Sequence, residues 1–127
     1  MAHILLIEDD ELLRGTLLQL LELDHHRVSE AADGEQGLQR FGNGSGIDLV
    51  ITDILLPGVD GTQVIAELRR RQPELPIIAI SGGRRVLTPA FSLETARLMG
   101  ATGVLAKPFG RAELQAALRE ALRVEQP

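Results

Sequence analysis

The 127-residue chain predicts an α/β fold: five βα units build one parallel sheet, doubly wound into a three-layer sandwich with strand order 2-1-3-4-5. Three observations predict it. Short apolar, β-branched runs alternate with stretches of helical period along the whole length. The run Ile77 to Ser81 is apolar without polar alternation, as a strand covered on both faces requires. The length suits one ordinary domain with a single core, so residues 1–127 are expected to fold as one unit.

His3 to Ile7 reads as a buried first strand, and Glu11 to Leu23 as a helix whose first free amides Asp10 is placed to cap. Arg27 to Ala31 is a weaker second strand. Glu35 to Phe41 is a short second helix, followed by the connector Gly42-Asn43-Gly44-Ser45-Gly46, which lacks the spacing of a phosphate-binding loop. Asp48 to Asp53 is the third strand, and after Pro57-Gly58 a helix runs from about Gly61 to Arg71. Pro73 and Pro76 bracket the turn into the fourth strand, Ile77 to Ser81. A long loop, Gly82 to Thr88, precedes a fourth helix from about Pro89 to Met99, which Gly100 stops. Gly103 to Lys107 is the fifth strand, and Gly110 to Val124 closes the chain as an amphipathic helix. The resulting order is the flavodoxin-like one.

Composition excludes several functions. No apolar run approaches the ~20 residues of a membrane span. The N-terminus enters a strand pattern directly, without a basic, cleavable leader, so a cytoplasmic location is expected. Without cysteine there is no thiolate ligand or nucleophile, and any metal must be held by oxygen or imidazole. A net charge of -5 disfavours nucleic acid and anionic lipid, and three phenylalanines as the only aromatics leave no base-stacking platform.

Parallel sheets bind ligands beyond the carboxyl ends of their strands, at the point where the strand order reverses. Strand one ends in Glu8-Asp9-Asp10, strand three in Asp53, strand four in Ser81 and strand five in Lys107-Pro108, while strand two ends in Glu30-Ala31-Ala32 and offers little. Strands one and three are neighbours at the switch point, so Glu8, Asp9 and Asp53 converge there. Carboxylates that close together repel unless a cation compensates, and an oxygen-only donor set suits Mg2+. Asp53, alone at its strand end, is the expected covalent phosphoryl acceptor; Asp9 would bind the ion directly and Glu8 through water. Lys107 supplies a mobile positive charge and Ser81 a hydroxyl donor. A cis form of Pro108 would fix the direction of Lys107.

On these residues the chain resembles the receiver domain of bacterial two-component response regulators, over essentially all of its length. The family pattern is an acidic pair after strand one (Glu8-Asp9), an acceptor aspartate with proline four residues on (Asp53, Pro57), Ser or Thr ending strand four (Ser81) and Lys-Pro after strand five (Lys107-Pro108). The resemblance implies phosphoryl transfer to Asp53 from a sensor histidine kinase or histidine phosphotransfer protein, a metal contact from the Leu55 carbonyl, and self-catalysed dephosphorylation rather than turnover of a substrate. It leaves open the downstream effector and whether two copies pair. Two departures stand out: Val104 occupies the place of the switch aromatic, and the segment Gly82 to Pro89, with Arg84 and Arg85, exceeds the usual loop.

Two rivals come from other classes. An aspartate-nucleophile phosphatase of the haloacid-dehalogenase type would place its nucleophile after strand one in an Asp-x-Asp motif, which Glu8-Asp9-Asp10 is not. A docking module that kept the fold without the chemistry would not need the acid pair, acceptor, hydroxyl and lysine together. The three histidines fall at no carboxyl-end rim and are assigned no chemistry, and Leu18 is expected on the solvent face of the first helix, either as a contact for a kinase or as a scattered surface leucine.

Overall fold

The computed structural model describes residues 2–42, 46–81 and 100–123, with the side chain of Ser81 outside that set. The elements are β1 (His3–Ile7), α1 (Glu11–Leu23), β2 (Arg27–Ala31), α2 (Gly34–Phe41), β3 (Leu49–Asp53), α3 (Gly61–Arg71), β4 (Ile77–Ser81), β5 (Gly103–Ala106) and α4 (Arg111–Arg123). The helix expected from about Pro89 to Met99 lies outside the described residues, as do Arg84 and Arg85.

All five strands are parallel in the expected order β2-β1-β3-β4-β5. Because side chains alternate across a strand, each inner strand feeds two cores. Leu5 and Ile7, Val50, and Ile77 and Ala79 face α2 and α3, where Phe41, Val64 and Leu68 meet them. Ile4 and Leu6, Ile51, and Ile78 and Ile80 face α1 and α4, where Leu17, Leu21, Leu114 and Leu118 meet them. Most of these side chains are fully buried, each contributing roughly 2 kcal/mol relative to exposure. This packing on both faces holds the strand ends in one rigid frame.

Each boundary that differs from expectation has a local cause. The Asp33 carboxylate accepts the Gln36 amide at 2.8 Å, so α2 starts at Gly34 rather than Glu35. Asp48 turns its carboxylate onto the His3 amide at 2.8 Å, leaving Leu49 as the first residue of β3. β5 stops at Ala106, two residues before Pro108, which has no amide to donate to a ladder. The Glu113 carboxylate accepts the Gly110 amide at 2.9 Å, and α4 begins at Arg111. Asp10 caps α1 as expected, accepting from Leu12 and Leu13.

Leu18 is a correction. It is half-buried beside the stripe formed by Leu17 and Leu21, and the exposed leucines of α1 are Leu12, 83% exposed, and Leu23. At 100° per residue Leu18 borders that stripe whereas Leu12 lies on the far side.

Candidate functional site

The carboxyl ends of β1, β3 and β5 surround a cleft of about 860 Å3, lined by Glu8, Asp9, Asp53, Leu55, Pro57 and Lys107 among others. Glu8, Asp9 and Asp53 each present a carboxylate oxygen, and these oxygens all lie within 4.8 Å of one another. Glu8 is fully buried and Asp53 nearly so, whereas Asp9 is exposed at the mouth. The strand register explains this gathering: Ile7 pairs with Thr52, so the next residue of each strand, Glu8 and Asp53, leaves the sheet at the same level.

Both oxygens of Asp53 are held by the protein. Oδ1 accepts the Leu55 amide at 3.0 Å, and Oδ2 accepts Lys107 Nζ at 3.0 Å. The same ammonium stands 3.7 Å from Glu8 Oε1, an ion pair too long for a hydrogen bond. Burial pulls the Lys107 ammonium down, but its hydrogen bond to Asp53 and the nearby charges of Asp53, Glu8 and Asp10 more than offset this, so its pKa is raised. The Lys107-Pro108 peptide is cis, the form the sequence allowed.

Glu8 is the unusual carboxylate. Its Oε2 accepts the Asp10 amide at 3.0 Å, but the buried Oε1 has no hydrogen-bond partner. Burial pushes its pKa from 4.5 to about 7, aided by Asp53 and opposed by the Asp10 amide and Lys107. A buried oxygen without a donor, beside two other carboxylates in an oxygen-only set, fits a hard divalent cation. One lysine does not neutralise three carboxylates, so the site is electrostatically incomplete as an all-protein cluster.

The route out of β3 is sterically specified. A Cβ at Gly61 would lie 2.1 Å from the Asp53 carbonyl oxygen and 2.6 Å from Ile54 Cα, so only glycine lets α3 start against the strand end that carries Asp53. The buried Thr52 hydroxyl donates to the same Asp53 carbonyl at 3.1 Å.

Sequence reasoning missed one contribution. Strand two, read as offering little, has as its penultimate residue Glu30, whose Oε1 accepts Arg14 Nε at 3.3 Å. Arg14 in turn donates from Nη1 to the Glu8 carbonyl at 2.8 Å. A basic residue one turn into the rim helix and an acid at the neighbouring strand end were the available signals, but only the register, with Glu30 beside Leu6, brings them together. Ser81 ends β4 opposite Ala106, at the same edge of the sheet, and its side chain lies outside the described residues.

The family model for the response regulator receiver domain matches residues 4–119. The transcriptional regulatory protein AfsQ1 of Streptomyces coelicolor is 37% identical over 97% of this chain and 52% of its own length. The sensory transduction protein RegX3 of Mycolicibacterium smegmatis is 33% identical over 97% of this chain and 51% of its own. The chain thus spans about half the length of the curated relatives it matches. Among solved structures, a response regulator receiver domain protein from Clostridium thermocellum superposes with a TM-score of 0.89 at 28% identity, covering 98% of this chain and 97% of that one. The receiver domain of a sensor histidine kinase from Pseudomonas aeruginosa, with a magnesium ion coordinated in its active site cleft, superposes with a TM-score of 0.83 at 31% identity, covering 96% and 98%.

Proposed function

The chain belongs to the response regulator receiver family of two-component signalling, and we propose on that premise that Asp53 accepts a phosphoryl group from a sensor histidine kinase or a histidine phosphotransfer protein. Residues 1–127 act in this reading as one receiver domain in the cytoplasm. The single observation that carries it is the meeting of a buried aspartate with two further carboxylates and an ammonium, at oxygen-to-oxygen distances within 4.8 Å.

In the transfer, an Asp53 oxygen attacks phosphorus while the bond from phosphorus to the donor's imidazole nitrogen breaks, and that nitrogen keeps the electron pair. The Leu55 amide on Oδ1 and Lys107 on Oδ2 fix the plane of the carboxylate, so the nucleophile is oriented before a donor arrives. Mg2+ held by Asp9, Asp53, the Leu55 carbonyl and, through water, Glu8 would neutralise charge on the phosphoryl oxygens. Lys107 exchanges its bond to Asp53 for one to a phosphoryl oxygen, and the Ser81 hydroxyl donates to another. The acyl phosphate is later hydrolysed in the same cleft, so the chain catalyses only its own phosphorylation and dephosphorylation.

The output we propose is control of a transcriptional effector, as the names of the longer relatives suggest for them. Val104 is half-buried against the core that contains Ile77 and Ala79, so no aromatic ring rotates at that position.

Intact-mass spectrometry after incubation with acetyl phosphate and magnesium tests the proposal. One phosphate is expected on the wild-type chain, none on Asp53→Asn, and none when the divalent cation is chelated. Equal labelling of the variant, or none of the wild type, would instead support docking without chemistry.

A further inference from the structure

The acid pair of the site has a dedicated support, and it comes from the strand that carries no site residue. Glu8 is gripped through both of its backbone polar groups: its amide, in the peptide before it, donates to the Ala31 carbonyl of β2 at 3.1 Å, and its carbonyl, in the Glu8–Asp9 peptide, accepts Arg14 Nη1 at 2.8 Å. Arg14 is itself aimed by Glu30, again from β2, and its side chain is only 18% exposed. Its own amide bonds the Asp10 carbonyl at 2.8 Å, so the guanidinium projects from the first turn of α1 back over the strand end.

We infer that Arg14 is a positioning residue for metal binding: it fixes the plane of the Glu8–Asp9 peptide and thereby the direction in which Asp9 presents its carboxylate. Asp9 needs such support because it is exposed, whereas Glu8 is walled in and Asp53 is bonded at both oxygens. A peptide carbonyl accepting a charged donor resists rotation more than one facing water. Turning that peptide would swing the Asp9 side chain away from Glu8 and Asp53 without disturbing either. Groups that orient a metal ligand typically change affinity by tenfold or more when removed.

This inference rests on the phosphoacceptor reading, and two measurements separate their failures. In magnesium titration by calorimetry, Arg14→Gln is expected to weaken binding by about tenfold, while phosphorylation at saturating magnesium stays within about twofold of wild type. Arg14→Lys, which keeps a charged donor for the Glu8 carbonyl, recovers part of the affinity, and Glu30→Gln, which keeps Arg14 and an acceptor for it but removes the negative charge that holds it, loses less than Arg14→Gln. The second measurement is amide hydrogen exchange of the metal-free chain, in which Arg14→Gln speeds exchange at Asp9 and Asp10 but not at Leu5. Wild-type affinity in Arg14→Gln, or unchanged exchange at Asp9 and Asp10, overturns the inference. So does an equal fall in the saturated rate. Should Arg14→Gln not fold, unchanged affinity and exchange in both Arg14→Lys and Glu30→Gln overturn it as well. A wild-type chain that takes no phosphate would sink the phosphoacceptor reading, and the exchange measurement would still decide the clamp.

Discussion

Replacing Glu8 by glutamine should make the metal-free protein more stable at alkaline pH while weakening its affinity for magnesium. Glu8 is fully buried, and its pKa rises from 4.5 to about 7, chiefly through burial. The folded chain holds this proton more tightly than the unfolded one. The resulting stabilisation is therefore complete below about 4.5 and lost as pH rises through about 7. At 1.36 kcal/mol per pH unit, ionised Glu8 lowers stability at pH 8 by about 3 kcal/mol relative to its protonated form, against about 1 kcal/mol at pH 5. Glutamine has no proton to lose, can accept the Asp10 amide as Oε2 now does, and can offer its amino group to Asp53. Urea denaturation of both proteins at the two pH values, in chelator, is the assay. The advantage of Glu8→Gln over wild type should grow by about 2 kcal/mol from pH 5 to pH 8. Millimolar magnesium at pH 8 should stabilise the wild type more than the variant. An advantage that is equal at the two pH values would refute the claim that Glu8 is a buried carboxylate awaiting a cation.

Magnesium affinity of the wild type should itself climb as pH passes about 7, since the ion must displace the Glu8 proton; a flat titration series between pH 6 and 8 would contradict this. Gly61→Ala puts a methyl group into the Asp53 and Ile54 backbone and should cost about 2 kcal/mol or more by denaturation, with slower phosphorylation because β3 must shift. Gly15→Ala, in the middle of α1 with nothing within 4 Å of the added carbon, should instead gain about 0.5–1 kcal/mol and leave phosphorylation unchanged. Glu67, hydrogen-bonded by Arg70 and Arg71, should titrate at about 2 by carboxyl NMR; its contribution to stability is present above its ordinary 4.5 and fades as pH falls towards 2.

Much of the fold was legible because its signals are local. The unbroken apolar runs Ile4 to Ile7 and Leu49 to Ile51 need no partner to be recognised, because a sheet covered on both faces buries every residue of its inner strands. Asp10 is a good cap in any helix, and it caps here. The boundaries at Asp48 and Gly34 shifted because long-range or reciprocal bonds competed with the strand and helix patterns, as when Asp48 turned to the His3 amide 45 residues away. Leu18 was misplaced because Glu11, Arg14 and Glu22 at helical spacing around it suggested a solvent face, whereas its burial depends on how α1 lies on the sheet.

The same division runs through the site. Residue types at strand ends, together with the handedness of βα crossovers, sufficed to nominate Glu8, Asp9, Asp53 and Lys107, because a parallel sheet delivers consecutive strand ends to one edge whatever the details of packing. By itself, then, the chain's order of residues determined the topology, the donor set and the acidic character of the cleft. Only the folded arrangement decided the energetics: that Glu8 loses all contact with water and leaves an oxygen without a donor, that Lys107 binds Asp53 more closely than Glu8, and that Arg14 and Glu30 reach over from α1 and β2 to hold the acid pair. Solvent exclusion and hydrogen-bond geometry are sums over neighbours far apart along the chain, so they exist only once the sheet has closed.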